Sequence, residues 1–314
     1  MSDAGTAVTV DTAQRLAEVR QRYLEALERG EESLIVELAP GCLGLDRPRA
    51  LGSWELAPVN ATAPPPIDVT VRCSEGLCVL AQIPVRIAAR RVTLERVALA
   101  GARGTALGVS AERELTLRDV TVMGSVASPR DRAALALSAA GSAGTRAHLE
   151  RVVVGRNQAR DAALGLYAAA GAWLEDLRLV DLAVAGGRAD ALIAIDAVRR
   201  LRAQGCTFGT GAARVLLRLL LAATDAELSG CALSAGAGAL LEISERQPAA
   251  GAPLRLTGHC AVTAPLGELP AGVVADDTVS VVDPTAVEGP LEAALDQAAE
   301  RLIGVDGRLE RLLG

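Results

Sequence analysis

The sequence predicts an all-β fold, a single-stranded parallel β-helix solenoid with an N-terminal capping helix and a C-terminal amphipathic helix. Three observations predict it. A short apolar strand recurs along the chain, a second alternating motif interleaves with it, and helix-periodic segments stand at both ends. The 314 residues, half of them hydrophobic, suffice for a large core in one elongated domain or two compact ones. The organisation falls into residues 1–32, an N-terminal segment with its helix, 33–287, the repeat body, and 288–314, a helical cap or oligomerisation segment.

The recurring strand is seen in "AALGLYAAAG" at Ala162–Gly171. Its relatives are "TALGVSA", "AALALSAAG", "DALIAIDAV", "RVLLRLLLA" and "GALLEISER". Their leucines, Leu107, Leu135, Leu164, Leu192, Leu216 and Leu240, are spaced by 28, 29, 28, 24 and 24 residues. Self-similarity at this period is the signature of stacked supersecondary units.

The interleaved motif is apolar-x-apolar-x-x-apolar-x-apolar-x-small. Its copies are "VTLERVALAG" from Val92, "LTLRDVTVMG" from Leu115, "LRLVDLAVAG" from Leu177, "LRAQGCTFGT" from Leu201 and "AELSGCALSA" from Ala226. "AHLERVVVG" from Ala147 and "LRLTGHCAV" from Leu254 are imperfect copies. Each reads as two short strands with one face inward, joined by a two-residue corner that is usually polar, as at Glu95-Arg96. Three short strands per repeat favour a parallel β-helix over helical, leucine-rich or pentapeptide repeats.

With these repeats, and with the entry segment "RYLEALERGEESLIVELAPG", the chain resembles the right-handed parallel β-helix, or pectin-lyase-like, superfamily over roughly Ser33 to Val282. The resemblance implies a right-handed coil. It implies no single activity, because that superfamily holds lyases, hydrolases, isomerases and structural proteins.

At the N-terminal end, Thr12 is placed to cap a helix from Ala13 to about Arg29, with Leu16, Val19, Tyr23 and Leu27 on one stripe. At the C-terminal end a helix is expected from Pro290. Its apolar positions Leu291, Leu295, Ala298, Leu302, Val305, Leu309 and Leu312 alternate by 4 and 3. This seam fits a homo-oligomer built through Leu291, Leu295, Leu302, Leu309 and Leu312. The glycines favour instead two helices broken at Gly304–Gly307 and folded back on the last coil, since Gly costs about 1 kcal/mol in a helix interior.

Charge gathers in the turns before the recurring strand. Stacking brings Arg130, Asp131 and Arg132 beside Arg160 and Asp161, then Arg188 and Asp190, then Arg214. Asp131, Arg132, Arg160, Asp161, Arg188 and Asp190 are therefore candidate ligand-binding residues, with Tyr167 and Trp54 as aromatic neighbours. Closely spaced carboxylates suit glycosidase-type chemistry, and what the resemblance implies of lyases adds an Arg as base or carboxylate clamp. The simpler reading, which the sequence favours, is a solvated charged edge whose pairs contribute under about 1 kcal/mol each.

Several classes are disfavoured. The net charge is −6 and aromatics are 2%, with no basic stripe, which argues against nucleic acid. Every cation among the 32 Lys and Arg residues is Arg, so a Schiff-base or P-loop lysine is excluded. The longest apolar run, from Val215, is too short for a membrane span and carries Arg218. His148 and His259 lack partners at metal-ligand spacing, and no metal or cofactor is expected. The six cysteines read as thiols, with Cys206, Cys231 and Cys260 stacked in the core. The absence of a signal-peptide pattern suggests a cytoplasmic protein, or one exported without a recognisable signal. The family's pectate-lyase and polygalacturonase motifs are missing. The expected function is thus a non-catalytic structural or binding module, as in a phage-tail-like machine, with protein or polysaccharide partners. The alternative is a polysaccharide lyase or glycoside hydrolase using the Asp/Arg edge.

Overall fold

The computed structural model describes residues 6–45, 53–58, 63–127, 131–209, 212–219, 225–235, 239–243, 254–264, 269 and 272–313. Its strands lie in two parallel sheets, sheet I with 17 strands and sheet II with 10. A central repeat gives two strands to sheet I, such as Ala133–Ala139 and Thr145–Glu150, and one to sheet II, Val153–Gln158. Each pairs in parallel with its counterpart one repeat later, at Ala162–Ala168, Leu174–Val180 and Ala183–Arg188. The expected all-β, single-stranded solenoid is corrected by this arrangement: there are two large parallel sheets, and a 22-residue helix supplies a core of its own. Alternation in a short apolar run says which face turns inward. It does not say into how many sheets the runs assemble, nor that small residues on an outer face will seat a helix.

The alternating motif holds its register throughout. Val92, Leu115, Ala147, Leu177, Leu201, Ala226 and Leu254 are successive partners, all buried. The recurring strand does not hold the register expected. Leu107, Leu135 and Leu164 continue into Ile193, Leu217 and Leu241, not into Leu192, Leu216 and Leu240. Both members of each adjacent pair, such as Leu192 and Ile193, belong to the same core. Two neighbouring columns therefore face inward where strict alternation allows one.

The outer face of sheet I is tiled by opposite charges. One column runs Asp68, Arg91, Glu114, Arg146, Asp176, Arg200, Asp225, alternating in sign at every step. Another begins Glu37, Arg72, Glu95, Arg118, Glu150. Within it Arg118 pairs with Glu95 at 3.1 Å and Glu150 at 3.0 Å. Opposite charges directly across a pair of strands stabilise by roughly 0.2–1 kcal/mol each, and like charges do the reverse, so the pattern favours this register over slipped ones. At the following corner Arg96, Asp119, Arg151 and Asp181 take left-handed backbone angles, φ 51–55°. Gly205 and Gly230 occupy the same corner in later repeats, where glycine bears no Cβ penalty.

The first strand, Thr6–Val10, is not foreshadowed by the sequence pattern; it pairs with Ser33–Leu38. Helix α1 covers Arg15–Glu28 and buries Leu16, Val19, Tyr23 and Ala26. Ala26 takes the place expected for Leu27, which is only half-buried. Thr12 accepts the Arg15 N–H through its carbonyl at 3.1 Å, whereas the N-cap residue is Gln14, without a side-chain cap. The Tyr23 hydroxyl donates to the Ala88 carbonyl at 2.7 Å, tying α1 to sheet I.

Helix α2, Pro284–Val305, starts six residues before the expected Pro290, because Asp283 caps it by accepting the Thr285 N–H at 3.0 Å. Its seam lies on the outer face of sheet II. Leu291, Leu295, Ala298, Leu302 and Leu309 are buried against Val79, Ala81, Ala98, Ala100, Met123 and Ala185, with Leu312 partly buried beside them. The column of sheet II that faces the helix runs Ala100, Met123, Gly155, Ala185, Gly209, Ser234, and its two glycines make the close approach possible: a Cβ on Gly155 would strike Leu295, and one on Gly209 would strike Leu291. The 22 residues of α2 span about 33 Å. The helix runs back from Ser234, which donates to Glu288, toward Leu77. The seven strands of sheet II over that distance cover about 29 Å at a strand spacing of about 4.8 Å. The chain then breaks at Asp306 into a short 3-10 turn, Gly307–Leu309, and α3, Glu310–Leu313. No helix among the described residues is long and apolar enough to cross a membrane.

Candidate functional site

The recurring strands of sheet I begin along one edge, where residues just before them stack. The column there is Arg132, Asp161, Asp190, Arg214, fixed by the pairing of Ala133, Ala162, Ala191 and Val215 behind it. Backbone bonds confirm the order: Ala162 N–H donates to the Arg132 carbonyl at 3.1 Å, Ala191 to Asp161 at 2.8 Å and Val215 to Asp190 at 3.1 Å. Two carboxylates thus stand on neighbouring strands, flanked by two guanidiniums. Neighbouring strands are about 4.8 Å apart, close enough for two like charges to raise each other's energy unless a cation intervenes.

Arg218 is that cation. It lies in the strand Val215–Leu219, on the outward column Gly108, Ala136, Gly165, Ala194, Arg218, Glu242. Small residues in the earlier strands leave room for its side chain to lie across the sheet, and only 8% of the residue remains exposed. Its Nη1 reaches Asp161 at 3.0 Å, its Nη2 pairs with Asp190, and its Nε approaches Glu242 at 3.5 Å. Burial acts to lower the Arg218 pKa, but the hydrogen bond to Asp190 and the charges of Asp190, Glu242 and Asp161 outweigh it and the pKa rises. Arg214 completes the ring, holding Asp190 at 2.9 Å and Glu242 at 3.0 Å. Its hydrogen bond is the main reason the Asp190 carboxyl titrates below the usual carboxylate range.

Tyr167 is folded into this network. Its ring lies over Gly165, where a Cβ would collide with it. Its hydroxyl donates to Asp161 at 3.2 Å. The Arg132 guanidinium covers the ring at 3.8 Å from its centre, and Arg132 also pairs with Asp161 at 3.3 Å. Only 6% of Tyr167 is exposed, so its ring face is occupied by the protein's own cation. Burial, reinforced by the Asp161 charge, raises the Tyr167 pKa.

The sequence candidates therefore divide. Arg132, Asp161, Asp190 and Tyr167 come together. Asp131 stands one residue outside the column and accepts from the Thr105 hydroxyl at 3.3 Å. Arg160 and Arg188 line a shallow depression of about 470 Å³ beside the edge, with Val126, Gln158 and Asp190. Trp54 is 4% exposed and belongs to the interior core, so it presents no ring to a ligand. Arg130 lies outside the described residues.

Three participants were missed from sequence. Arg218 was legible only as a charge interrupting an apolar run, and Glu242 as a polar residue in the last copy of the strand. Asp196 follows the strand Ala191–Ile195. Burial raises its pKa, opposed by the Arg132 charge and a hydrogen bond from the Ala168 backbone, with Asp161 adding to the rise. Asp190 precedes this strand and Asp196 follows it, so the two oppositely shifted carboxyls stand at its two ends, about 20 Å apart along the backbone. Among the described residues, no group of three or more His, Cys, Asp or Glu side chains could hold a metal ion. No known protein-family model matches the chain, and no curated protein matches it.

Proposed function

We propose that the chain is a non-catalytic structural or binding module that works as a rigid part of a larger assembly. The observation that supports this reading is the closed network on the Asp/Arg edge. Arg218 is committed to Asp161, Asp190 and Glu242, and Arg132 covers the Tyr167 ring. A sugar ring seeking an aromatic platform would have to displace Arg132. A substrate carboxylate seeking Arg218 would have to compete with acids already in place. Ion pairs of this kind hold strands together and need no substrate to be satisfied.

One observation favours a second reading, a lyase or hydrolase of acidic polysaccharide: Asp161 and Asp190 stand on neighbouring strands and share Arg218, a carboxylate spacing that suits glycosidase-type work. A panel of acidic polysaccharides incubated with the protein and assayed for new reducing or unsaturated ends separates the two. We expect no turnover. Turnover that disappears in Asp161→Asn, with the fold retained by circular dichroism, would overturn the structural reading.

A further inference from the structure

We propose that Cys206, Cys231 and Cys260 form an oxidisable thiol column, in which Cys231 closes a disulfide with Cys206 when the protein meets hydrogen peroxide. The three residues immediately precede Thr207, Ala232 and Ala261, which are in-register partners on adjacent strands of sheet II. Adjacent strands place such residues about 4.8 Å apart between Cα atoms, inside the separation of about 4.4–6.8 Å that a disulfide accepts. The thiols also point the same way, since all three lie in the interior core with exposures of 0%, 1% and 0%. Cys231 hydrogen-bonds to both neighbours through its thiol, and its N–H donates to the Cys260 sulfur at 3.3 Å.

The column has a direction. The Cys206 thiol titrates below the ordinary value because Cys231 donates to it, despite burial. Cys231 is pushed up to about 12, chiefly by that same hydrogen bond, and Cys260 is raised by its bond to Cys231 and by burial. Cys206 is therefore the sulfur best able to carry negative charge, and the thiolate is the form that reacts with peroxide. Cys206 gives its proton to solvent, and its sulfur attacks one peroxide oxygen. The O–O bond breaks, leaving a sulfenic acid and a hydroxide that takes up a proton. The Cys231 sulfur then attacks the Cys206 sulfur. The S–O bond breaks, and the hydroxyl leaves with the Cys231 proton as water. Two thiols and one hydrogen peroxide give one disulfide and two waters; the sulfurs are oxidised and the peroxide oxygens reduced. Peroxide is small enough to reach a buried column through local opening.

The test treats the reduced full-length protein with hydrogen peroxide, removes the oxidant with catalase, blocks remaining thiols and maps peptides without reduction. The expected result is a Cys206–Cys231 cross-link, reversed by dithiothreitol and accompanied by a rise in Tm. In Cys206→Ala the cross-link moves to Cys231–Cys260. In Cys231→Ala none forms in the column, because Cys206 and Cys260 are two strands apart. Thermal melts establish that each variant is folded, and if Cys231→Ala is not, the double variant of Cys206 and Cys260 to Ala replaces it. Peptide mapping separates this column from Cys73 and Cys78. An unlinked column overturns the proposal, whether a small alkylating reagent then labels the three thiols or leaves them untouched. So does oxidation that ends in sulfinic or sulfonic acid without a cross-link.

Discussion

Arg218 donates to Asp161 across 57 residues of sequence, passing over the strand that lies between them. The order of the edge column leaves Asp161 and Asp190 side by side, and this one side chain bridges them, with Arg132 and Arg214 supplying the second and third charges. Replacing it with Met retains much of the apolar stem and removes the charge. The two carboxylates are only partly buried and regain water, so the expected loss is about 1–3 kcal/mol. Urea denaturation measures it. The double variant Arg218→Met/Asp190→Asn should recover part of the loss, because the repulsion is gone. A single variant as stable as the parent would show that the bridge contributes nothing to stability.

Gly165→Ala tests the seating of Tyr167. The new methyl occupies the place of the ring, so the ring must leave, losing its cover by Arg132 and its bond to Asp161. The expected cost is about 1–3 kcal/mol. A spectrophotometric titration should show one tyrosine ionising closer to the ordinary value of about 10, while Tyr23, buried under α1, remains high. A titration identical to the parent would mean that Tyr167 does not depend on Gly165.

Two glycines near α2 should respond in opposite senses. Gly209→Val drives a side chain into Leu291, which should lift the start of α2 and speed its cleavage by a protease at low ratio. Gly304→Ala meets nothing within 4 Å and lies in the helix itself, so it should stabilise by up to about 1 kcal/mol. Equal protease resistance in the Gly209→Val variant would mean that α2 does not rest on that strand.

Acid should loosen the charged edge and the sheet I columns. Asp190 is held below the usual range chiefly by Arg214, Asp119 by Arg151, and Asp225 by Arg202. Their folded pKa values lie below the unfolded ones, so their stabilisation is complete above the unfolded value of about 3.9 and is lost as pH falls through the folded values. Asp196 has the opposite sign. Its folded pKa is raised, so it costs stability progressively as pH rises through the unfolded value toward the folded one. Asp196→Asn should therefore raise Tm at neutral pH and leave it nearly unchanged at pH values below the carboxylate range. Melting curves across this range check both signs.

Much of the strand register was legible because the alternating motif is a fixed-length device. Two outward-inward runs flank a corner that admits one left-handed residue, and Val92 through Leu254 can be aligned by eye. The recurring strand was less legible for a physical reason. At Leu192-Ile193 and Leu216-Leu217 both residues face the core, and alternation alone cannot say which belongs to the column of Leu164. The register of Leu135 on Leu164, read correctly from the sequence, already sets Arg132 and not Asp131 beside Asp161. Arg218 was beyond reach, since its partners Asp161 and Asp190 lie about two and one repeats earlier and Glu242 one repeat later, and only three-dimensional stacking brings them to it. A leucine seam on a helix fits another helix or a face of alanines and glycines equally well, so the seat of α2 could be seen only once Gly155 and Gly209 were found beneath it.

The match between α2 and the strands it crosses has a consequence for how this chain can lengthen. The helix is a ruler. A duplicated repeat would push the far strands about 4.8 Å outward, while a helix gains only about 1.5 Å per residue. Growth of the sheets must therefore be accompanied by about three added residues of helix, in a step that also rotates its leucines away from the face they cover. Repeat number and helix length are bound to change together or not at all.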